Sequence, residues 1–233
     1  MILSFNQPAF IPWGGFFCRL LASDRMVLLD NTLFARGFTF VNRNRVKGPE
    51  GEIRLTVPLK KKGLGRQKIK NLEIYQKKYW GKKFLATLSH LYGKSIYFER
   101  IYKPLARIIK KQDNQFLNMV IEILEVLRSG LGINTPFILQ SQTGVAESGI
   151  TLLIQIAGMA GADEVILPYP SRPLVDWRQF EKAEIGVTFL KFTAPVYPQF
   201  RGDFISCLSI LDMLFSLGQE STQLLKKSFT LTG

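Results

Sequence analysis

The first thirty residues constrain the fold more than any other stretch of the chain. Ile2, Leu3, Ser4 and Phe5 form a short, mostly apolar run that stops at Asn6-Gln7-Pro8. Pro12 and Trp13 stand where a helix can open, and Phe16, Phe17, Leu20 and Leu21 recur at helical spacing. Met26-Val27-Leu28-Leu29 is an unbroken apolar run closed by Asp30, the pattern of a strand buried on both faces of a parallel sheet. Strand, loop, helix and strand in that order make a βαβ unit, the opening of an open α/β sheet.

The same alternation returns later. Residues 136–139 read as a strand, 150–160 as a helix, 164–167 as a strand, 180–184 as the end of a short helix, 187–192 as a strand and 207–217 as an apolar helix. Between the two blocks, Ile53, Leu55 and Val57 alternate with polar residues up to Pro58, and residues 69–74 read as a second alternating strand after the basic loop 60–68. From Lys78 the period lengthens: Trp80, Phe84, Leu88 and Leu91, then Ile101, Leu105 and Ile108, then residues 116–128 stopped by Gly130, mark helices. The pattern predicts a single α/β domain over residues 1–220 with a Rossmann-like open, mainly parallel sheet. A helical insertion falls at about 78–130, and residues 221–233 read as a weakly periodic, loosely packed tail. The chain has 233 residues, long for one such domain and short for two.

Charge is divided unevenly. Residues 1–111 carry 23 Lys and Arg against 6 Asp and Glu, a net +17, whereas residues 112–233 carry 8 against 12, a net −4. A split of this size points to an anionic partner: a nucleotide-linked sugar or other phosphorylated small molecule, tRNA, or an acidic carrier protein. A solvated basic face without a specific ligand is the plainer alternative. No apolar run approaches the ~20 residues that span a bilayer, and the amino terminus has no secretory pattern. Cys18 and Cys207 lie in apolar surroundings at unrelated spacing and read as buried free thiols. These features predict a soluble, cytoplasmic protein without a transmembrane segment. With one histidine, His90, and no paired cysteines, no metal site is expected. The chain contains no G-x-G-x-x-G, P-loop or G-x-S-x-G motif.

Three clusters are candidates for chemistry. Asn6, Gln7 and Trp13, with Asp30, fall at the carboxyl ends of the first two strands, where open α/β sheets bind ligands; capping of the loops by Asn and Gln is the alternative. In the run Asn42-Arg43-Asn44-Arg45, Asn42 and Asn44 share one strand face and Arg43 and Arg45 the other. Two guanidinium forks on one face suit phosphate, with Lys47 and Lys68 nearby in sequence; a charged edge strand is the alternative. Late in the chain, Tyr197 and Gln199 precede Ser209 and Asp212, which sit three apart on an apolar helix and therefore share a face. A carboxylate there must find a partner, for which a group from the basic half is the expectation.

The order of these motifs resembles the WbqC-like family. The resemblance rests on Q-P-x-x-x-P-W-x-G-x-F at 7–17, L-D at 29–30, N-R-N-R-V-K at 42–47, L-T-V-P at 55–58, V-Y-P-Q at 196–199 and L-S-I-L-D-M-L-F at 208–215. It implies a bacterial protein of O-antigen and related lipopolysaccharide clusters, a transferase that places an acyl or aminoacyl group on a nucleotide-linked amino sugar. In that reading Asn6, Gln7 and Asp30 line the reacting end. Arg43, Arg45, Lys47 and Lys68 hold phosphate, and Trp13, Asn42, Asn44, Tyr197, Gln199, Ser209 and Asp212 line the crevice. A nucleotide or acyl donor is the cofactor class implied. The alternatives are a non-catalytic module for tRNA or another nucleic acid, and a scaffold in a complex of glycan-biosynthesis enzymes. The family's opening motif usually has a histidine just before Gln-Pro, where this chain has Asn6, and a second acidic residue after the first, where it has Asn31. The opening strand-loop-helix also resembles the HUP-type nucleotidylyltransferase and ligase fold.

Overall fold

The computed structural model of the protein describes residues 1–35 and 39–233; Phe38, in the segment leading to the first arginine of the hairpin, lies outside the described residues. Strand β1 (Ile2–Asn6) is followed by α1 (Gly14–Leu21) and β2 (Arg25–Leu28). The hairpin β3 (Arg43–Gly48) and β4 (Gly51–Thr56) comes next, then the helices α2 (Lys77–Tyr92), α3 (Phe98–Lys110) and α4 (Phe116–Gly130). The chain returns to alternation with β5 (Phe137–Leu139), α5 (Gly149–Met159), β6 (Glu164–Pro168), α6 (Arg178–Glu181) and β7 (Gly186–Phe192). It ends in α7 (Ile210–Leu217), α8 (Glu220–Lys226) and β8 (Phe229–Thr232).

Six strands form one sheet in the order β5-β2-β1-β6-β7-β8. The first five run parallel and only β8 is antiparallel, which makes this a Rossmann-like open α/β fold. Side-chain alternation explains why the sheet is covered on both faces. Leu3, Phe5, Val27, Val165, Leu167 and Phe189 enter the core beneath α5 and α6. Met26, Leu28, Ile166 and Leu190 enter the larger core shared with α1, α7 and the three inserted helices.

β1 leads through α1 to β2 on one side, while β6 leads through α6 to β7 on the other. The connections therefore diverge between β1 and β6. Open sheets of this type commonly bind ligands at such a divergence, at the carboxyl ends of the strands, which here carry Asn6 and Pro168.

The turn into α1 depends on two glycines. A Cβ on Gly14 would come 2.9 Å from Leu225 Cδ2, and one on Gly15 would come 2.6 Å from the Trp13 ring. Their absence lets Trp13 fold back over the helix start, where its ring meets Phe192 edge-on at 4.8 Å.

Three expectations are corrected. Residues 69–74 do not form a strand: Ile69–Asn71 is a 3-10 turn, followed by isolated bridges from Glu73 and Ile74. The apolar spacing there runs by three and then by two, and the first interval is the 3-10 repeat. Residues 221–233 are not loosely packed. α8 buries Ser221 and Leu225, and β8 pairs with β7. Cys207 is exposed, at a positive φ of 55° just before α7; Cys18 is buried as expected, with its thiol pushed up to about 12 by desolvation.

Leu225 is fully buried against α1. Leu225→Ala is therefore expected to lower stability by about 2–3 kcal/mol, the scale of a core truncation. A urea midpoint unchanged from the parent would show that α8 does not share the core.

Candidate functional site

The carboxyl end of β1 carries the first candidate residues. Asn6 is half-buried: its amide N–H donates to the Gln7 carbonyl and its Oδ1 accepts from the Arg19 guanidinium. Gln7 donates to the Thr32 hydroxyl at 3.0 Å, and Thr32 donates to the Leu29 carbonyl, which ties the ends of β1 and β2 together.

Arg19 was not singled out by the sequence reading. It lies on α1 among Phe16, Phe17, Cys18, Leu20 and Leu21, and is only 5% exposed. Desolvation pulls its guanidinium down to about 10, and no carboxylate pairs with it among the described residues. The group remains cationic at neutral pH, and its Nε has no partner among the described residues. The signal in the sequence was a lone charge inside the apolar helix Gly14–Leu21.

Asp30 follows β2 and is fully buried. Its Oδ1 accepts from the backbone N–H of Ser141 at 2.9 Å, and its Oδ2 has no partner among the described residues. Asn31 Oδ1 and Gln140 Oε1 are also buried without partners among the described residues. Asn31 follows β2 and Gln140 follows β5, two strands paired through Leu28 and Leu139. Buried acceptors are normally satisfied, so unpaired ones gathered at the ends of two adjacent strands point to a donor-bearing ligand or to water.

The hairpin residues lie in a different setting. Asn42 and Asn44 do share the inward face: Asn42 donates to the Val57 carbonyl, and Asn44 to the Ile11 carbonyl at 2.9 Å. Arg45 faces outward, but its fork is occupied by the Glu52 carboxylate at 2.6 Å and by the Cys207 carbonyl. Glu52 on the facing strand lies two residues from Arg54, the cross-strand partner of Arg45, and so reaches its guanidinium. Arg43 opens β3, half-buried, in register with Thr56. Lys68 is exposed, and its backbone bridges to Leu33.

Ser209 caps α7 and does not sit within it: its hydroxyl donates to the Ile11 carbonyl at 2.7 Å and accepts from the Leu211 N–H. Ser209 also bridges to Trp13 and bonds the Arg45 carbonyl. Gln199 closes its own loop with two bonds to the Ile205 backbone. Trp13, Asn44, Arg45 and Ser209 thus join one seam, and no hydrogen bond or ion pair links them to Asn6, Gln7 or Asp30 among the described residues.

Asp212 forms a third centre. It is fully buried and accepts from Tyr92 at 2.7 Å and from Tyr197 at 2.9 Å. The Tyr92 hydroxyl in turn accepts the Lys47 backbone N–H, and the Lys47 ammonium donates to the Asp203 carbonyl. Burial pushes the Asp212 carboxyl above its ordinary range, against the opposing pull of both tyrosines and Lys47. The same desolvation, reinforced by the carboxylate, pushes both tyrosine hydroxyls upward. Asp212 therefore has a partner from the basic half, Tyr92, and every bond in the network is made between protein groups. Its geometry is that of a clamp between β3, α2 and α7.

No helix of the described residues is long and apolar enough to cross a membrane. A family model described as the WbqC-like protein family matches residues 7–224. Uncharacterized protein Rv1507c of Mycobacterium tuberculosis (strain ATCC 25618 / H37Rv) is 29% identical over 222 residues, covering 94% of this chain and 95% of that protein. No solved structure matches.

Proposed function

Because the chain belongs to the WbqC-like protein family, we propose that it is a transferase of bacterial surface-glycan biosynthesis, of the O-antigen type, placing an acyl or aminoacyl group on a nucleotide-linked amino sugar. The observation that carries this reading is Arg19, a buried guanidinium with no carboxylate partner among the described residues, held by Asn6 at the carboxyl end of a parallel strand. A buried cation without a counter-ion is costly, and a phosphate of the sugar nucleotide supplies the missing charge and accepts from the unpaired Nε.

In this reading the sugar's amine attacks the acyl carbon: a C–N bond forms, the bond to the leaving group breaks, and the amine proton departs. Asp30 Oδ2, uncommitted among the described residues, accepts that proton and returns it to the leaving group. The amides of Asn6 and Gln7 orient the acceptor and stabilise the developing oxyanion, a role that hydrogen bonding alone can fill. An amide cannot shuttle a proton, so an asparagine where the family usually has a histidine leaves that step to Asp30.

A panel of nucleotide-linked amino sugars tests the reading, first by thermal shift and then with acyl-coenzyme A and aminoacyl donors under mass spectrometry. A cognate ligand at a hundredfold above its Kd is expected to raise the melting midpoint by about 5 °C or more, and the donor reaction to yield an N-acylated sugar. Asn6→His is expected to increase turnover. No shift and no product in either form, across the whole panel, would overturn the assignment.

A further inference from the structure

One cavity is lined by none of Asn6, Gln7, Arg19 or Asp30. It is a groove of about 1200 Å³ between α2, α3 and the turn at 109–114. Lys60, Lys77, Lys78, Lys82, Lys110 and Lys111 line it, and no Asp or Glu does. Its floor and walls are apolar, from Ile74, Leu85, Ile109, Ala86 and the rings of Tyr79 and Tyr102.

Three of the lysines are committed. Lys60 pairs with Glu73, Lys111 pairs with Glu122, and Lys77 donates to the Asp113 carbonyl. Lys78, Lys82 and Lys110 make no ion pair among the described residues. Two of these stand in the first two turns of α2, whose first turn has no acidic residue. Cations there repel both one another and the positive end of the helix dipole, and an anion relieves both terms.

We propose that this groove binds a single-chain phosphate amphiphile, an acyl or alkyl tail with a phosphate head. The tail would lie along Ile74, Leu85 and Ile109 and the head among Lys78, Lys82 and Lys110. The volume exceeds the roughly 300–1000 Å³ of an ordinary small-ligand pocket, which suits an elongated occupant. A nucleic acid backbone would use the lysine rim but leave the apolar floor empty, whereas an uncharged lipid would leave the rim unneutralised. The inference stands independently of the transferase reading, because it concerns different residues and is read by binding alone.

Isothermal titration with dodecyl phosphate below its micellar concentration tests it. One molecule is expected per chain, bound at least about tenfold more tightly than dodecyl maltoside, which has the same tail, and than inorganic phosphate, which has no tail. Lauroyl-coenzyme A separates the two sources of such chemistry: tighter binding than dodecyl phosphate assigns a thioester donor, and weaker binding a free lipid phosphate. The double variant Lys78→Glu with Lys82→Glu is expected to lose about tenfold or more in affinity. Ala86→Trp, at an exposed helix position on the groove wall, is expected to block binding while the circular dichroism spectrum and melting midpoint hold. Equal affinity for phosphate and maltoside amphiphiles, binding untouched by Ala86→Trp, or tighter binding of an oligothymidylate would each overturn the proposal.

Discussion

Replacing Arg19 with methionine is expected to stabilise the protein while weakening its anion binding about ten- to a hundredfold. The two effects have opposite signs because they come from different states. In the unliganded protein the guanidinium is buried, bonded to the Asn6 amide and otherwise uncompensated. A long apolar side chain of similar shape removes that desolvation cost, a gain of about 1–2 kcal/mol. In the liganded protein the same group donates charge-assisted hydrogen bonds worth about 1.5–3 kcal/mol, which convert to roughly ten- to a hundredfold or more in Kd. Arg19 falls to about 10 in the folded state, below the ordinary guanidinium value. Below pH 10 it is charged in both folded and unfolded chains, so the stability gain should be flat between about pH 5 and 9 and change only in strong alkali. Urea unfolding and calorimetric titration with a nucleoside diphosphate measure the two quantities. A methionine variant that loses stability, with binding intact, would make Arg19 a structural residue and remove the main support for the proposed function.

The prominence of Arg19 also marks where sequence reading stops. The parallel strands were legible because burial on both faces leaves unbroken apolar runs, as at Met26, Val27 and Leu28 and at Val165, Ile166 and Leu167. Helices α2 to α4 were legible because one buried face imposes a repeat of three and four. Residues 69–74 misled because Ile69, Leu72 and Ile74 are buried from a 3-10 turn and its exit, which make isolated bridges at Glu73 and Ile74 and no continuous ladder. The last residues misled for a different reason: a seven-residue helix and a four-residue edge strand are too short to establish a period.

For the site, local and non-local information separate cleanly. The alternation of Asn42 and Asn44 inward against Arg45 outward follows from strand geometry and was legible. That Glu52 would capture Arg45 depended on the register of the hairpin, in which Arg45 faces Arg54 and Glu52 lies two residues further along. Asp212 announced itself as a carboxylate on an apolar helix, whereas its partner Tyr92 lies 120 residues away and resembled an ordinary core aromatic.

That partnership makes Asp212→Leu the substitution with the largest expected loss of stability, about 3–5 kcal/mol. Leucine matches the burial but removes the acceptor for two hydroxyls at once. Tyr92 is fully buried and cannot turn to water, and each orphaned donor costs about 1–3 kcal/mol. Asp212→Asn should stay within about 1 kcal/mol of the parent, because its oxygen still accepts from Tyr92 and its amide can donate to the Tyr197 oxygen. The two variants also differ from the parent in pH dependence. The Asp212 carboxyl is raised by burial, so the folded chain holds this proton more tightly than the unfolded one. Its contribution to stability is fully present below the unfolded value, about 4, and is lost as pH rises through the raised folded value. Asparagine does not titrate, so the stability of Asp212→Asn relative to the parent should climb across that window and then level off. Urea midpoints of all three proteins from pH 3.5 to 8 read both effects. A leucine variant as stable as the parent would mean that Tyr92 and Tyr197 find other acceptors and that the clamp between β3, α2 and α7 does not depend on the carboxylate.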